Sequence, residues 1–146
     1  MVTEKKYVGK MMRILSNMVH RKIENELSRK AIKVTGTQAR IIGFIYRNSN
    51  TGNVYQKDIE AEFDIRRSTA TNILQLLEKN GYITRVSVEE DARLKKIQLT
   101  EKGNGVYEEV KEVIQKVEGE FSSIYSEEEL ETLFYLLEKL RNTLEE

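Results

Sequence analysis

Apolar residues in the first part of the chain recur at three- and four-residue steps. Val8, Met11, Leu15, Met18, Val19 and Ile23 share one face of a helix over about residues 5–30. Thr35-Gly-Thr-Gln38 fits a capping box, where the first and fourth side chains satisfy each other's free backbone donors. Ile41, Ile42, Ile45 and Tyr46 carry a second helix onward, up to the loop Asn48-Ser-Asn-Thr-Gly-Asn53.

Beyond that loop the periods shorten. A helix over about 55–62 turns Ile59, Ala61 and Phe63 toward the core, and Asp64-Ile65 forms a turn. The next helix, about 67–80, buries Ala70, Ile73, Leu74 and Leu77 and ends at Asn80-Gly81, a residue suited to the left-handed C-terminal position. Tyr82 to Val88 alternates as a strand does, Glu89 to Leu94 forms a hairpin tip, and Lys95 to Leu99 returns. Thr100 caps a long helix with Val106, Val110, Val113, Ile114, Val117, Phe121 and Ile124 on its apolar stripe. Ser126 and Glu129 form a second capping box, opening a last helix with Leu130, Leu133, Phe134, Leu137, Leu140 and Leu144. The expected fold is therefore mainly α with a small β-wing. A winged helix-turn-helix region over residues 35–100 is flanked by helical regions at 1–34 and 101–146, all in one domain. The three long helices carry more apolar stripe than a small winged domain covers. A second copy is expected to cover the remainder, giving a homodimer; the alternative is an intramolecular three-helix bundle.

Helix, turn, helix and wing together form a device for reading double-stranded DNA, with one helix in the major groove and the wing at the backbone or minor groove. The polar face of the 67–80 helix carries Arg66, Arg67, Ser68, Thr69, Thr71 and Asn72. Short hydroxyl and amide side chains exchange hydrogen bonds with base edges or phosphates, and arginines make bidentate contacts. Taken alone, such a face is only the solvated side of an amphipathic helix; the turn before it and the hairpin after it favour DNA. Arg93 at the hairpin tip suits the narrow, electronegative minor groove, with Asp91 placed to hold its guanidinium. Lys95 and Lys96 are placed for phosphates, and Gln56 offers a side-chain amide or a helix-terminal N–H to another.

Charge sharpens this picture. The chain of 146 residues has a net charge of zero, which by itself argues against a nucleic-acid partner. The distribution reverses that: residues 1–53 carry +8, residues 54–64 carry −3, residues 65–103 carry +3 and residues 104–146 carry −8. The reading segment is locally basic, and the two ends attract if packed together. There are no cysteines, which excludes disulfides, thiol redox sensing and thiolate metal sites. With one histidine, His20, a multi-histidine metal centre within one chain is excluded too. No apolar run reaches the roughly 18 residues of a membrane span, and the first residues lack a signal peptide's apolar core. The expectation is a cytoplasmic protein with no cofactor and no membrane partner.

The phrases Gln56-Lys-Asp-Ile, Ser68-Thr-Ala-Thr-Asn, Leu77-Glu-Lys-Asn-Gly-Tyr-Ile, Asp91-Ala-Arg and Leu99-Thr-Glu-Lys-Gly, in that order, resemble the MarR (multiple antibiotic resistance regulator) family. The resemblance covers nearly the whole chain. It implies a winged-helix homodimer, dimerised by its terminal helices, that binds pseudo-palindromic promoter DNA. It implies that Arg93 enters the minor groove while Arg67, Ser68, Thr69, Thr71 and Asn72 face the major groove. It further implies a repressor released by a small ligand, often a phenolic or other aromatic anion. The ligand cleft of the family points here to Met11, Met12, Leu15, His20 and Tyr46. The chain departs from the family at Tyr55, where a capping Thr or Ser is usual, at Arg66, where Ser is usual, and at Asn72 and Leu76, which are often basic. Two other classes remain beside this reading. A winged-helix module can bind protein instead of DNA. An enzyme would need a nucleophile–base pair, a phosphate loop or a metal set, and the sequence offers none of the three.

Overall fold

A computed structural model describes residues 6–88 and 91–145, apart from the side chains of Asp91 and Ala92. The elements in chain order are α1 (Val8–Arg29), α2 (Gly36–Ser49), α3 (Gln56–Phe63), α4 (Arg67–Lys79), β1 (Ile83–Val88), β2 (Asp91–Leu99), α5 (Glu101–Ser123) and α6 (Glu127–Leu144). They fall into two compact units, the first ending at Val113 and the second beginning at Ile114. Among the described residues, no helix is long and apolar enough to cross a membrane.

The core of the first unit collects apolar residues from α2, α3, α4 and the wing, together with Ile23 and Leu27 of α1 and Val110 and Val113 of α5. Ile41, Ile42 and Ile45 come from α2, Ile59 from α3, Ala70, Leu74 and Leu77 from α4, and Ile83 and Ile97 from the base of the wing; all are buried. Each such leucine or isoleucine side chain stabilises the fold by about 1.5–3 kcal/mol relative to exposure. Two of the core positions expected of α3 differ. Ala61 is exposed, because it lies two residues beyond Ile59 and so on the opposite side of α3. Phe63 is half-buried and meets Phe44 edge-on, with ring centroids 5.9 Å apart.

The helix ends follow their local chemistry. Thr35 and Gln38 make the reciprocal capping box expected of them. At α3, Asp58 accepts from the backbone N–H of Tyr55 at 2.8 Å, while the Tyr55 side chain makes no cap bond. Asp64 adopts a left-handed conformation (φ 49°), which turns the chain from α3 into α4. α4 closes in a Schellman motif. Tyr82 N–H donates to the Leu77 carbonyl and Gly81 N–H to that of Glu78, with Gly81 at φ 83°.

The wing is a two-stranded antiparallel ladder running from Ile83 opposite Leu99 to Ser87 opposite Lys95. It then slips: the next pair is Val88 with Asp91, so Ala92, Arg93 and Leu94 form an irregularity on the return strand. The return strand thus begins at Asp91 rather than at Lys95. Its first residues do not alternate cleanly, so the period-two signal emerges only from Lys95 onward. Val54 adds a bridge to Ile97 on the outer side.

Where the wing meets α5, Thr100 gathers three bonds. Its N–H donates to the Tyr82 carbonyl, its hydroxyl donates to the Gly81 carbonyl, and its Oγ1 accepts from Gly103 N–H at 3.1 Å. The end of α4, both wing strands and the start of α5 are therefore tied at one point. An ion pair within the first unit, Lys30 to Glu112 at 3.7 Å, links the basic start of the chain to its acidic later part. Both partners are exposed, so it contributes little.

In the second unit, Ser126 and Glu129 form the expected capping box of α6. None of the α6 residues is buried, and Phe134, Tyr135, Leu136 and Leu144 are exposed. Ile124 lies just past the end of α5 and is exposed, not on the apolar stripe of that helix.

Candidate nucleic-acid interface

The amphipathic pattern of α4 sorts its residues cleanly. Ala70, Leu74 and Leu77 are buried at full depth, while Arg66, Arg67, Ser68, Thr69 and Asn72 are exposed and Thr71 is half-buried. Ile73 is only half-buried, at the margin of the stripe. Arg66 holds the capping position of α4 and makes no side-chain cap bond.

Between α3, α4 and the wing lies a cleft lined by Gln56, Lys57, Arg67, Thr71, Arg85, Arg93 and Lys95, with Glu60 the single acid among its described lining residues. Five cationic side chains on one concave surface attract an anion of matching shape. Lys96, on the strand position next to Lys95, is half-buried and is not part of that lining. The Asp91 side chain, expected to hold Arg93, lies outside the described residues.

Two contacts inside this region were not legible in the sequence. Gln56 Nε2 donates to Thr71 Oγ1 at 2.9 Å and approaches the Arg67 carbonyl at 3.4 Å, pinning the start of α3 to the reading helix. Arg85 of β1 forks onto Glu78 of α4, with Nη2 to Oε1 at 3.1 Å and Nε to Oε2 at 3.4 Å. Seven residues separate that pair, across a helix end and a strand start, so no helical spacing advertises it.

The hydrogen bond from Arg85 holds the Glu78 carboxyl below its ordinary value of 4.5; burial opposes it in part, and the charges of Arg85 and Lys95 assist it. A depressed carboxylate adds stability that is present above the ordinary range and lost as pH falls through the folded value. Thermal unfolding from about pH 6 to pH 3 should therefore cost the wild type more than Glu78→Gln. Because Glu78 is 42% exposed, screening limits the difference to less than about 1 kcal/mol. Identical pH profiles would show that the fork carries no net stability.

A model of the MarR family matches residues 32–94, the stretch from the end of α1 through the wing. The fold agrees: S. aureus MepR, solved in complex with DNA, superposes with a TM-score of 0.87 at 26% identity, covering 96% of this chain and 99% of that one. The MarR regulator of Oenococcus oeni PSU-1 superposes with a TM-score of 0.78 at 29% identity, covering 93% and 99%. Over residues 32–94 the chain is similar to the MarR family, and its fold is similar to that of these two regulators. Its fold is the family's winged helix. Among curated proteins, the HTH-type transcriptional regulator BilQ of Clostridioides difficile (strain CD3) is 26% identical over 105 residues, which span 70% of each chain.

The residues that the MarR resemblance assigns to an effector are only partly brought together. Met11 and Met12 line a hollow of about 560 Å³ along the first turns of α1, with Tyr7, Val8 and Ile14. Leu15, His20 and Tyr46 are not in that lining. His20 is exposed and stands 3.6 Å from Glu24, whose carboxylate accepts from the Gly36 N–H at the start of α2. Tyr46 stacks on Tyr107, with centroids 3.7 Å apart and planes 12° from parallel. The partner Tyr107, which the α5 stripe did not single out, is buried.

Proposed function

We propose that this protein is a homodimeric DNA-binding transcription regulator, acting as a repressor on pseudo-palindromic promoter DNA and released by a small anionic ligand. The observation that carries the reading is the division of α4: one face is fully buried, and the other offers Arg67, Ser68, Thr69 and Asn72 beside a cationic wing cleft. That is the arrangement a groove-reading helix requires, with short polar groups near its N-terminus and basic side chains on the flanks. The likeness to MepR in its DNA complex supports the same placement. In this reading residues 35–100 contact DNA, Lys95 and Lys96 meet phosphates, and the helices before and after make the dimer.

Support for the dimer comes from the uncovered apolar side chains. Tyr7, Val8, Met11, Leu15 and Met18 of α1 and the residue before it are all exposed, as are Phe134 and Leu144 of α6. Stretches of large apolar residues of this kind mark interaction surfaces in soluble proteins. Light scattering should return twice the 17.0 kDa chain mass. A 17.0 kDa species at micromolar concentration would end the dimer proposal.

DNA reading is tested by fluorescence anisotropy with DNA from the gene's own upstream region, at several salt concentrations. Counterion release makes phosphate-driven binding fall steeply with salt. Arg93→Ala should weaken binding about 10-fold, and should lower the salt slope by about one if the arginine neutralises a phosphate. Partner binding insensitive to salt would instead favour a winged-helix module for proteins. Release is tested by titrating phenolic and other small aromatic anions into the protein–DNA complex; no dissociation with any of them would count against a ligand-released repressor.

A further inference from the structure

We infer that Gln56 is a positioning residue that fixes the hydrogen-bonding direction of Thr71, making Thr71 an obligatory donor to DNA and so a determinant of sequence preference. The inference rests on the DNA-reading proposal above and assigns Gln56 a role other than the phosphate contact expected of it.

A threonine hydroxyl ordinarily both donates and accepts, and its hydrogen rotates to suit the partner. On a helix, the usual resting place for that hydrogen is the carbonyl four residues back. For Thr71 that carbonyl belongs to Arg67, and Gln56 Nε2 lies 3.4 Å from it. The same nitrogen is 2.9 Å from Thr71 Oγ1. An amide facing a carbonyl oxygen must present its NH₂ end, because its own oxygen would repel that carbonyl. Arg67 O therefore sets the direction of the Gln56 amide, and the amide in turn sets Thr71: Oγ1 accepts one N–H, and its hydrogen is directed elsewhere. The Arg67 carbonyl is also occupied by the Thr71 backbone N–H in the helix ladder, which leaves little room there for the hydroxyl hydrogen. Thr71 lines the cleft with the donors Arg67, Arg93 and Lys95 and with one acid, Glu60; among the described residues, the bond from Gln56 is the one hydrogen bond that its hydroxyl makes. The hydroxyl hydrogen is thus left for an acceptor brought by the ligand. In a major groove the acceptors are guanine O6 and N7, adenine N7 and thymine O4, whereas the cytosine amino group is a donor and would be refused.

The test selects sequences from a random duplex pool with wild-type protein, then compares affinity for the selected sequence and for random DNA. Gln56→Met removes the amide at similar length and should cut that discrimination about 5–10-fold. Sequences selected by Gln56→Met should lose preference at one position per half-site. Thr71→Val should do the same, and the double variant should be no worse than Thr71→Val alone. Thr71→Ser should keep the preference. A merely structural bond would lower the melting temperature of Gln56→Met and leave discrimination intact. Unchanged discrimination, equal weakening on both DNAs, or full additivity with Thr71→Val would each overturn the inference while leaving DNA reading in place. Failure of the wild type to select any sequence would overturn the DNA-reading proposal itself, and this inference with it.

Discussion

Gly103→Ala is expected to lower stability by about 3 kcal/mol or more, among the largest effects of any single methyl in this chain. A Cβ at that position would stand 2.1 Å from the carbonyl oxygen of Tyr82 and 3.2 Å from its carbon and from Leu99 Cδ2. The nearest obstacle is backbone, so no side chain can rotate away. That backbone is itself held, because the Tyr82 carbonyl accepts from Thr100 N–H and the Tyr82 N–H closes the end of α4. To admit the methyl, either the first wing strand or the start of α5 must move. The strain would therefore reach the element carrying Arg93. Gly105, two residues on, has open space for 4 Å around the place a methyl would take, so Gly105→Ala should stabilise by about 0.5–1 kcal/mol through helix propensity alone. Differential scanning calorimetry of the two variants should show opposite signs, with Gly103→Ala melting roughly 8 °C lower. Equal melting temperatures would mean that Tyr82 does not approach α5 as described.

That junction illustrates what a sequence discloses. Thr100 was readable as a helix cap, and Gly81 as a helix stop, because both belong to local patterns of a few residues. The reason for the glycine at 103 was not, since it depends on a carbonyl 21 residues away. The same division runs through the interface. The polar face of α4 follows from its period, and Arg67, Ser68, Thr69 and Asn72 are exposed as that period requires. The Gln56–Thr71 bond and the Arg85–Glu78 fork join separate elements, and no periodicity encodes such pairings. Ala61 was misplaced because three apolar residues at steps of two in a short helix cannot share one face. Leu76, which had no evident place in the sequence pattern, is half exposed on α4, and nothing within the described chain explains it.

Leu74 and Leu76 give the sharpest expected contrast in the chain. Both are leucines on α4, two residues apart; Leu74 is 0% exposed and Leu76 is 50% exposed. Leu74→Ala removes a side chain surrounded on all sides and leaves a void that a close-packed core only partly fills. It should cost about 3–4 kcal/mol. Leu76→Ala removes apolar surface that already meets water and should stay within about 0.5 kcal/mol of wild type. Urea unfolding separates the two, since a shift of midpoint at constant slope reports stability alone. The consequence for function follows from where Leu74 sits. It anchors the buried face of the helix whose other face carries Arg67, Ser68, Thr69 and Asn72, so a loosened anchor frees the reading residues from a common frame. Discrimination between selected and random DNA should fall in Leu74→Ala even at temperatures where the protein stays folded. Leu76→Ala is expected to keep both stability and discrimination. A loss of discrimination there, with stability unchanged, would identify Leu76 as a side chain that meets the DNA through apolar contact, as a thymine methyl allows.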